Sequence, residues 1–415
     1  MARKIAGGPI AIVAHTHPSV TKGGAEIAAY GLYQGLKALG TEAIFIAACL
    51  SETIDAFRPA SRDEYALVMQ RTRYDDFYTL SAGQITRELL AILQARRVRL
   101  VNFHHHINIG VNSLRALAAL TKIPFFVTFH EFTAICANHG QMVTRPSRRL
   151  CAQATPTACA ACFPERPPQQ FRLRADLMRE ALLPAAGYIA PSRFLADRFI
   201  AWGLERGKFG VIENGLRALP ARPALPLPHT RGQPFVFGTF GQITPYKGVD
   251  QVLDALDMLA EQPALARRVR IRVHGGLAGQ SAEFIARFHA TVKDCEFAEY
   301  AGPYANDDIF ELMSKCDYVL VPSTWWENSP VVIQEAFAAG RPVICTGIGG
   351  MAEKVAAGVA GLHVRPHDPA DLVRALAEAA DVRLYKKLCA GLPEVTDQAA
   401  MAKGYLEVFK EPATK

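Results

Sequence analysis

Two glutamates eight positions apart, Glu327 and Glu335, stand in the stretch Val319 to Glu353, VLVPSTWWENSPVVIQEAFAAGRPVICTGIGGMAE. An apolar strand ends at Val321 and a loop follows. Ser329-Pro330 then reads as an N-cap and a first helical residue. The spacing predicts a helix from Pro330 to about Ala339, closed by Gly340, with Pro342 leading into the next strand. Glu327 falls in the loop and Glu335 inside the helix. A helix N-terminus offers free amides and partial positive charge, a place for phosphate. An ionised carboxylate beside it can only accept hydrogen bonds, which suits hydroxyls. Taken alone, two glutamates at this distance read as solvated charge. The strand end, the cap, the glycines and the prolines around them turn the reading toward a site.

A second element is Phe240 to Asp250, FGQITPYKGVD. Gly241 turns the chain after a strand, and Lys247-Gly248 opens a helix. A lysine there can meet a diphosphate as a point charge, or be a surface lysine at a helix start. A third element, His274-Gly275-Gly276, ends another strand. In open α/β sheets ligands bind outside the carboxyl ends of strands, where all three elements lie. Phosphates plus vicinal hydroxyls describe a nucleotide sugar. In the first half, a strand runs into His15-Thr16-His17-Pro18 and then Lys22-Gly23-Gly24 before a helix. Paired glycines allow close backbone approach to a ligand, though a plain turn is the default. His104-His105-His106 and His130-Glu131 follow two further strands, as hydrogen-bonded structural residues or as site residues. Adjacent side chains on a strand point to opposite faces, which argues against a metal at the three histidines.

Cys136, Cys151, Cys159 and Cys162 lie within a loop-rich stretch, and the last two have CxxC spacing. A structural zinc at these four, free thiols and a labile disulfide stay open.

The elements that must position these residues alternate. Strands are expected at Ile10–Ala14, Ala43–Ile46, Leu100–Phe103, Phe125–Phe129, Tyr188–Ala190 and Phe209–Ile212. A second series is expected at Phe235–Phe240, Val269–His274, Tyr318–Val321, Val343–Thr346 and Leu362–Val364. Continuous Val, Ile and Phe runs suit parallel strands buried on both faces. Between them, Val249, Val252, Leu253, Leu256 and Leu259 form one helical stripe. This argues for a doubly wound α/β sheet, twice over. The break is Ala218 to Pro234, with five prolines in seventeen residues.

The 415 residues suit two domains, and with half of them apolar and a fifth charged the chain is not disordered. No apolar run approaches membrane-span length and no signal peptide is evident, so the expectation is a cytoplasmic protein. Met1 to Arg217 holds 26 Lys and Arg against 16 Asp and Glu, and the remainder 20 against 23. A basic first half fits an anionic partner, or is ordinary arginine-rich surface. Basic residues are spread over many segments with no recognition module, which argues against nucleic acid.

From Phe235 to about Val364 the chain resembles the donor domain of the retaining glycosyltransferases of family 4, which have the GT-B fold. The match consists of Gly241 with Lys247-Gly248, His274-Gly275, Gly302-Pro303-Tyr304, Asp317, Pro322-Ser323, Glu327 with Glu335, Gly340-Arg341-Pro342-Val343, and Gly349-Gly350 with Glu353. The resemblance implies two Rossmann-like domains facing across a cleft. Residues 1–216 would form the acceptor side, with a cysteine-bearing insertion at about 136–165, and residues 217–395 the donor side. A terminal helix in 396–415 is expected, its return to the first domain left open. Lys247 would bind the donor diphosphate, Glu327 the transferred sugar and Glu335 the ribose hydroxyls. Asn328, Ser329 and Pro330 would place amides toward phosphate or sugar, and Gly241, His274 and Gly275 would line the donor. Gln242 stands where many members carry arginine, which shifts diphosphate neutralisation to Lys247 and helix ends. Gly23 and Gly24 are similar to a glycine pair near the donor phosphate, and His130 to a histidine near the transferred sugar. His104 and His106 would line the acceptor side. Ala190-Pro191-Ser192-Arg193-Phe194 and Glu213-Asn214-Gly215 also match, with architectural work expected.

The resemblance further implies retention of configuration without a metal cofactor. The departing phosphate oxygen takes the acceptor's proton, so no protein base is assigned. The expected partners are a nucleotide sugar and a saccharide or lipid-linked acceptor of envelope polysaccharide synthesis, met at the inner membrane face. A sugar-nucleotide epimerase or phosphorylase of the same fold is disfavoured by the glutamate pair. A non-catalytic sugar-nucleotide or membrane-surface binding protein is disfavoured by the intact Glu327, Glu335 and Lys247, while Gln242 keeps it open.

Overall fold

Apolar runs without polar alternation have nowhere to go but the middle of a sheet covered on both faces. In the computed structural model, which describes residues 7–21, 23–145, 147–217, 219 and 232–410, they become the central strands of two parallel sheets. One unit comprises Met1–Arg217 with Thr396–Lys415, the other Ala218–Val395. Of the proline-rich segment, residues 218 and 220–231 lie outside the described residues.

The first unit holds β1 (Ile10–Ala14), β2 (Ala43–Leu50), β3 (Glu64–Met69), β4 (Leu100–Phe103), β5 (Phe125–Thr128), β6 (Gly187–Ala190) and β7 (Phe209–Val211). Their order is β3-β2-β1-β4-β5-β6-β7, and every pairing is parallel. The second unit holds β8 (Phe235–Phe240), β9 (Val269–His274), β10 (Ala298–Gly302), β11 (Tyr318–Val321), β12 (Val343–Thr346) and β13 (Gly361–Val364). Their order is β10-β9-β8-β11-β12-β13, again all parallel. In each sheet the order reverses once, between β1 and β4 and between β8 and β11. At such a reversal neighbouring crossovers leave in opposite directions and open a crevice.

Burial follows the two-residue period of a strand. Tyr318 and Leu320 enter a core with Phe237, Ile271 and Leu372, while Val319 and Val321 enter another with Ile333, Phe337 and Val343. The stripe Val249, Val252, Leu253, Leu256 and Leu259 is buried on the helix Val249–Ala260. Among the described residues, no helix is long and apolar enough to cross a membrane.

Two strands depart from the sequence expectation. β3 and β10 are edge strands; β3 mixes buried and exposed positions and β10 has no buried residue. β10, with Glu299 and Gly302 among its five residues, leaves no apolar run in the sequence, whereas β3 does carry one, Tyr65–Met69, that the sequence expectation passed over.

The terminal helix Gln398–Lys410 belongs to the first unit. Its Met401, Ala402, Tyr405 and Phe409 join the core formed by Ile10, Ile12, Leu32 and Leu36. It lies against the helix Gly24–Ala38, where a Cβ on Gly35 would stand 2.5 Å from the carbonyl oxygen of Gln398. Only glycine permits that approach. Gly35→Leu is expected to destabilise the protein by about 1–3 kcal/mol, the usual range for forcing extra methylenes into a packed contact. Thermal denaturation would show a lowered melting temperature; an unchanged melt would contradict the close packing.

Candidate active site

In the second unit, the loops leaving β8 and β11 meet at the strand-order reversal. After Phe240, Gly241 takes a positive φ of 113° and leads to the short turn Pro245–Lys247. Thr244 Oγ1 caps that turn by accepting from the Lys247 amide at 3.2 Å. Lys247 therefore ends the turn, and Gly248, at φ 77°, is the N-cap of the next helix. The β11 loop is tied across: the Thr324 amide donates to the Tyr246 carbonyl at 2.9 Å.

This zipped pair of loops sets up Glu327. Its Oε1 accepts from Lys247 Nζ at 2.5 Å, Trp325 Nε1 at 2.7 Å and Ser323 Oγ at 3.0 Å. Burial alone would raise its pKa, but Lys247 first, then the Trp325 and Ser323 donors, outweigh it, so the carboxyl is held below its ordinary range. The Lys247 ammonium also lies 5.6 Å from the Trp325 ring centroid. The Glu327 backbone is clamped in turn, its carbonyl accepting from the Gly350 amide at 2.7 Å. A Cβ on Gly350 would overlap the carbonyl oxygen of Asn328.

The helix expected from Pro330 runs over Val331–Ala338, with Pro330 itself as N-cap and no side chain capping it. Pro330 is extended, at ψ 119°, so Ser329 stands one residue too early to be the cap. Its hydroxyl instead accepts from Lys354 Nζ at 2.9 Å, from the helix Gly349–Lys354.

Glu335, on the same helix, is in the opposite state from Glu327. Among the described residues no hydrogen bond or ion pair reaches its carboxylate, and burial pushes its pKa up to about 7. Tyr304 is close enough to feel its charge, and the Gly241 amide hydrogen-bonds the Tyr304 phenol oxygen. Tyr304 stands edge-on to Phe240 and His274, which stack at 4.7 Å between centroids. His274 is buried, its pKa lowered by desolvation, and its Nε2 has no partner among the described residues. Gly275 is held by its amide donating to the Gly302 carbonyl at 2.8 Å, and Gln242 is exposed. Asp317 serves the sheet, its Oδ2 accepting from the Val236 amide at 2.8 Å.

In the first unit the ends of β1, β4 and β5 gather histidines and carboxylates. His15 Nε2 lies 3.3 Å from Glu26 Oε1, on the first turn after the N-cap Gly23 and its neighbour Gly24. His105 Nδ1 accepts from the Ile107 amide at 3.0 Å, so its Nε2–H donates to Glu131 Oε1 at 2.9 Å. The His15 and His105 rings lie 4.6 Å apart. Burial lowers His15, and pushes His106 and His130 down to about 3, with neighbouring His105 adding to the effect on the last two. These rings are neutral near pH 7. His104 is buried and contacts His130, Nδ1 to Nε2, at 2.9 Å. His17 is structural, packed against Phe45 and Phe57 and 3.3 Å from Glu64. Ser192 caps the helix Arg193–Trp202, as its architectural motif implied.

Cys136, Cys151, Cys159 and Cys162 are free thiols, and burial raises the pKa of the first three, Cys159 to about 12. Among the described residues no group of three or more His, Cys, Asp or Glu is placed to hold a metal ion, so the zinc reading is not supported.

Sequence reasoning missed Ser323, Trp325 and Lys354 as partners of the site and Tyr304 as a neighbour of Glu335. Pro322-Ser323, Tyr304 and the glutamate before Lys354 stood within quoted motifs, but their contacts cross between loops.

The pattern described as "Glycosyltransferase Family 4" matches residues 22–218, and "Glycosyl transferases group 1" matches residues 234–381. The chain is 36% identical over 162 residues to a D-inositol 3-phosphate glycosyltransferase of Stackebrandtia nassauensis, covering 38% of this chain and 36% of that protein. It is 29% identical over 225 residues to one of the same name from Streptomyces avermitilis, covering 48% of each. The chain thus spans less than half the length of these curated relatives. Among solved structures it is similar to Anabaena HepE in complex with UDP and glucose, at TM-score 0.65 and 18% identity, covering 97% of this chain and all of that one. It is also similar to sucrose-phosphate synthase from Thermosynechococcus elongatus, at TM-score 0.69 and 17% identity, covering 98% and 99%.

The state of Glu335 has a measurable consequence. Its folded pKa of about 7 lies above the ordinary 4.5, so the unfolded chain loses this proton first as pH rises. Stability is therefore lost as pH rises from about 4.5 to 7, by roughly 3 kcal/mol. Glu335→Gln, which cannot ionise, should be more stable than the parent at about pH 8 by roughly 2–3 kcal/mol, the gap closing toward pH 4. Urea denaturation at both pH values checks this; a pH-independent difference would contradict the desolvated carboxyl.

Proposed function

Because the chain belongs to the group 1, family 4 glycosyltransferases, with two Rossmann-like units of the GT-B fold, we propose that it is a retaining transferase moving a sugar from a nucleotide diphosphate to a saccharide or lipid-linked acceptor. The observation that carries this reading is the pair of glutamates in opposite states on one loop and helix. Glu335 is desolvated and has no donor among the described residues, and a ribose diol supplies two O–H groups that would let it ionise. Glu327 is already ionised and anchored through one oxygen. Its charge and position suit the sugar, whose anomeric carbon gains positive charge as the diphosphate departs.

Lys247 neutralises the diphosphate, exchanging part of its contact with Glu327 for phosphate oxygens. Lys354, bonded to Ser329 beside the uncapped helix start, adds a second cation near a residue expected to face phosphate, which offsets the uncharged Gln242. Burial pulls the pKa of His130 down to about 3, which makes it a weak base and fits a hydrogen-bond donor to the sugar. On the same-face route, the departing phosphate oxygen takes the acceptor's proton, and the protein positions and stabilises charge. No metal is assigned to the transfer. A uridine diphosphate sugar is the first donor to test, since HepE structures hold UDP and UDP-glucose. The name of the sequence relatives, D-inositol 3-phosphate glycosyltransferase, supports an acceptor bearing phosphate, as does the basic first half. Work at the inner membrane face, in envelope polysaccharide synthesis, fits the same charge. Gln242 favours a second reading, a sugar-nucleotide-binding protein without transfer.

A thermal-shift panel of UDP-, GDP- and ADP-sugars is expected to give selective stabilisation by one donor, lost in Glu335→Ala; no stabilisation by any of them would contradict a donor site. Glu327→Gln is expected to keep donor binding and lose turnover by roughly 100-fold, the scale of one charge-stabilising group. Binding without turnover in the parent chain as well would decide for the second reading.

A further inference from the structure

Five side chains run in one hydrogen-bonded line from the terminal helix to the end of β5. Tyr405, on the helix Gln398–Lys410, hydrogen-bonds Thr128, the last residue of β5. Thr128 Oγ1 donates to Asn102 Oδ1 at 3.1 Å. Asn102 Nδ2 lies 3.0 Å from His104 Nε2, and His104 Nδ1 lies 2.9 Å from His130 Nε2. The Tyr405 and His104 rings stack at 6.1 Å. The first four residues are almost wholly buried, at 1%, 1%, 0% and 2% exposure, and only His130 of the line is partly exposed.

The direction of the line follows from what each group can do. A buried phenol must donate its single hydrogen, and Thr128 is the partner in reach. Thr128, having accepted, gives its own hydrogen to Asn102 Oδ1. That fixes the amide with its NH2 toward His104, whose Nε2 must then be the bare, accepting nitrogen. A neutral imidazole carries one hydrogen, so that of His104 is on Nδ1 and is given to His130 Nε2. The remaining hydrogen of His130 is then on Nδ1. Burial keeps both rings from charging, which would erase the direction.

We infer that Tyr405, Thr128, Asn102 and His104 are positioning residues that lock His130 as its Nδ1–H tautomer, so that it offers an N–H donor rather than an acceptor at its outer nitrogen. The functional part of this inference rests on His130 lying at the transferred sugar. An N–H there suits a sugar hydroxyl oxygen and cannot take a proton from an acceptor, in keeping with a transfer that uses no protein base. The terminal helix thereby acts on a site residue it does not touch.

The test is nitrogen-15 NMR of the histidine rings in the full chain near neutral pH, with His104→Gln and His130→Gln for assignment. Both rings should show a protonated Nδ1 and a bare Nε2; a protonated Nε2 on His130 overturns the direction. Asn102→Asp keeps the size but presents a carboxylate that only accepts, so the hydrogens on both rings should move to Nε2. UDP release from UDP-glucose, or from whichever donor of the panel is turned over, should then fall by at least about 10-fold with KM within about twofold, because a wrong histidine tautomer costs rate rather than binding. A moved hydrogen with unchanged turnover overturns the positioning role. If the parent chain turns over none of the donors, the transferase reading fails, while the ring spectra still decide the relay.

Discussion

A carboxylate removed from water must be given donors or give up its charge. The second unit shows both outcomes on one loop and the helix after it. Glu327 keeps its charge because three donors converge on one oxygen, two from its own loop and one, Lys247, from the loop after β8. Glu335 has no such donors among the described residues and holds its proton to about pH 7. The rest of the unit can be read as the means of keeping the two so. The strand-order reversal between β8 and β11 brings Lys247 to Glu327. Gly350, with no side chain, lets its helix close on the Glu327 backbone. Among the described residues no hydroxyl donor reaches Glu335, which is what the proposed diol would supply.

The first unit solves a different problem. It concentrates five histidines, His15, His104, His105, His106 and His130, at the ends of β1, β4 and β5, where a cluster of charged rings would repel itself. Burial holds His15, His104, His106 and His130 neutral, and His105 is set against Glu131. Neutral rings have a direction, one nitrogen donating and one accepting, so their value to a ligand depends on which nitrogen carries the hydrogen. That is decided by neighbours well inside the unit, as far as the terminal helix.

Much of the fold was legible because strands covered on both faces leave continuous apolar runs. β1, β4, β8, β9, β11 and β12 match the expected spans residue for residue. β10 was not legible, since its short, half-polar segment leaves no such run, and β3 was passed over although Tyr65–Met69 is apolar. The local part of the site was legible too: Glu327 in a loop, Glu335 in a helix, and Lys247 at a turn. What linked them was not. Lys247 and Glu327 are eighty residues apart, and nothing local to either requires the other. Ser329 looked like a cap because serine before proline usually is one. The extended Pro330 took that place, and Lys354 took the hydroxyl. The direction of the histidine line likewise depends on Tyr405, just over three hundred residues beyond Asn102. The four cysteines showed the converse: their spacing suggested a metal that the arrangement of the described residues does not support.

The most direct test of a diol-binding Glu335 is its proton count on binding. Calorimetric titration of the chain with the preferred sugar nucleotide near pH 7, in two buffers of different ionisation heat, measures it. If ribose hydroxyls replace the missing donors, the carboxyl ionises on binding and about half a proton is released per site, with none from this position in Glu335→Gln. Binding with the same proton count in both proteins would contradict it, and would place the nucleotide away from Glu335.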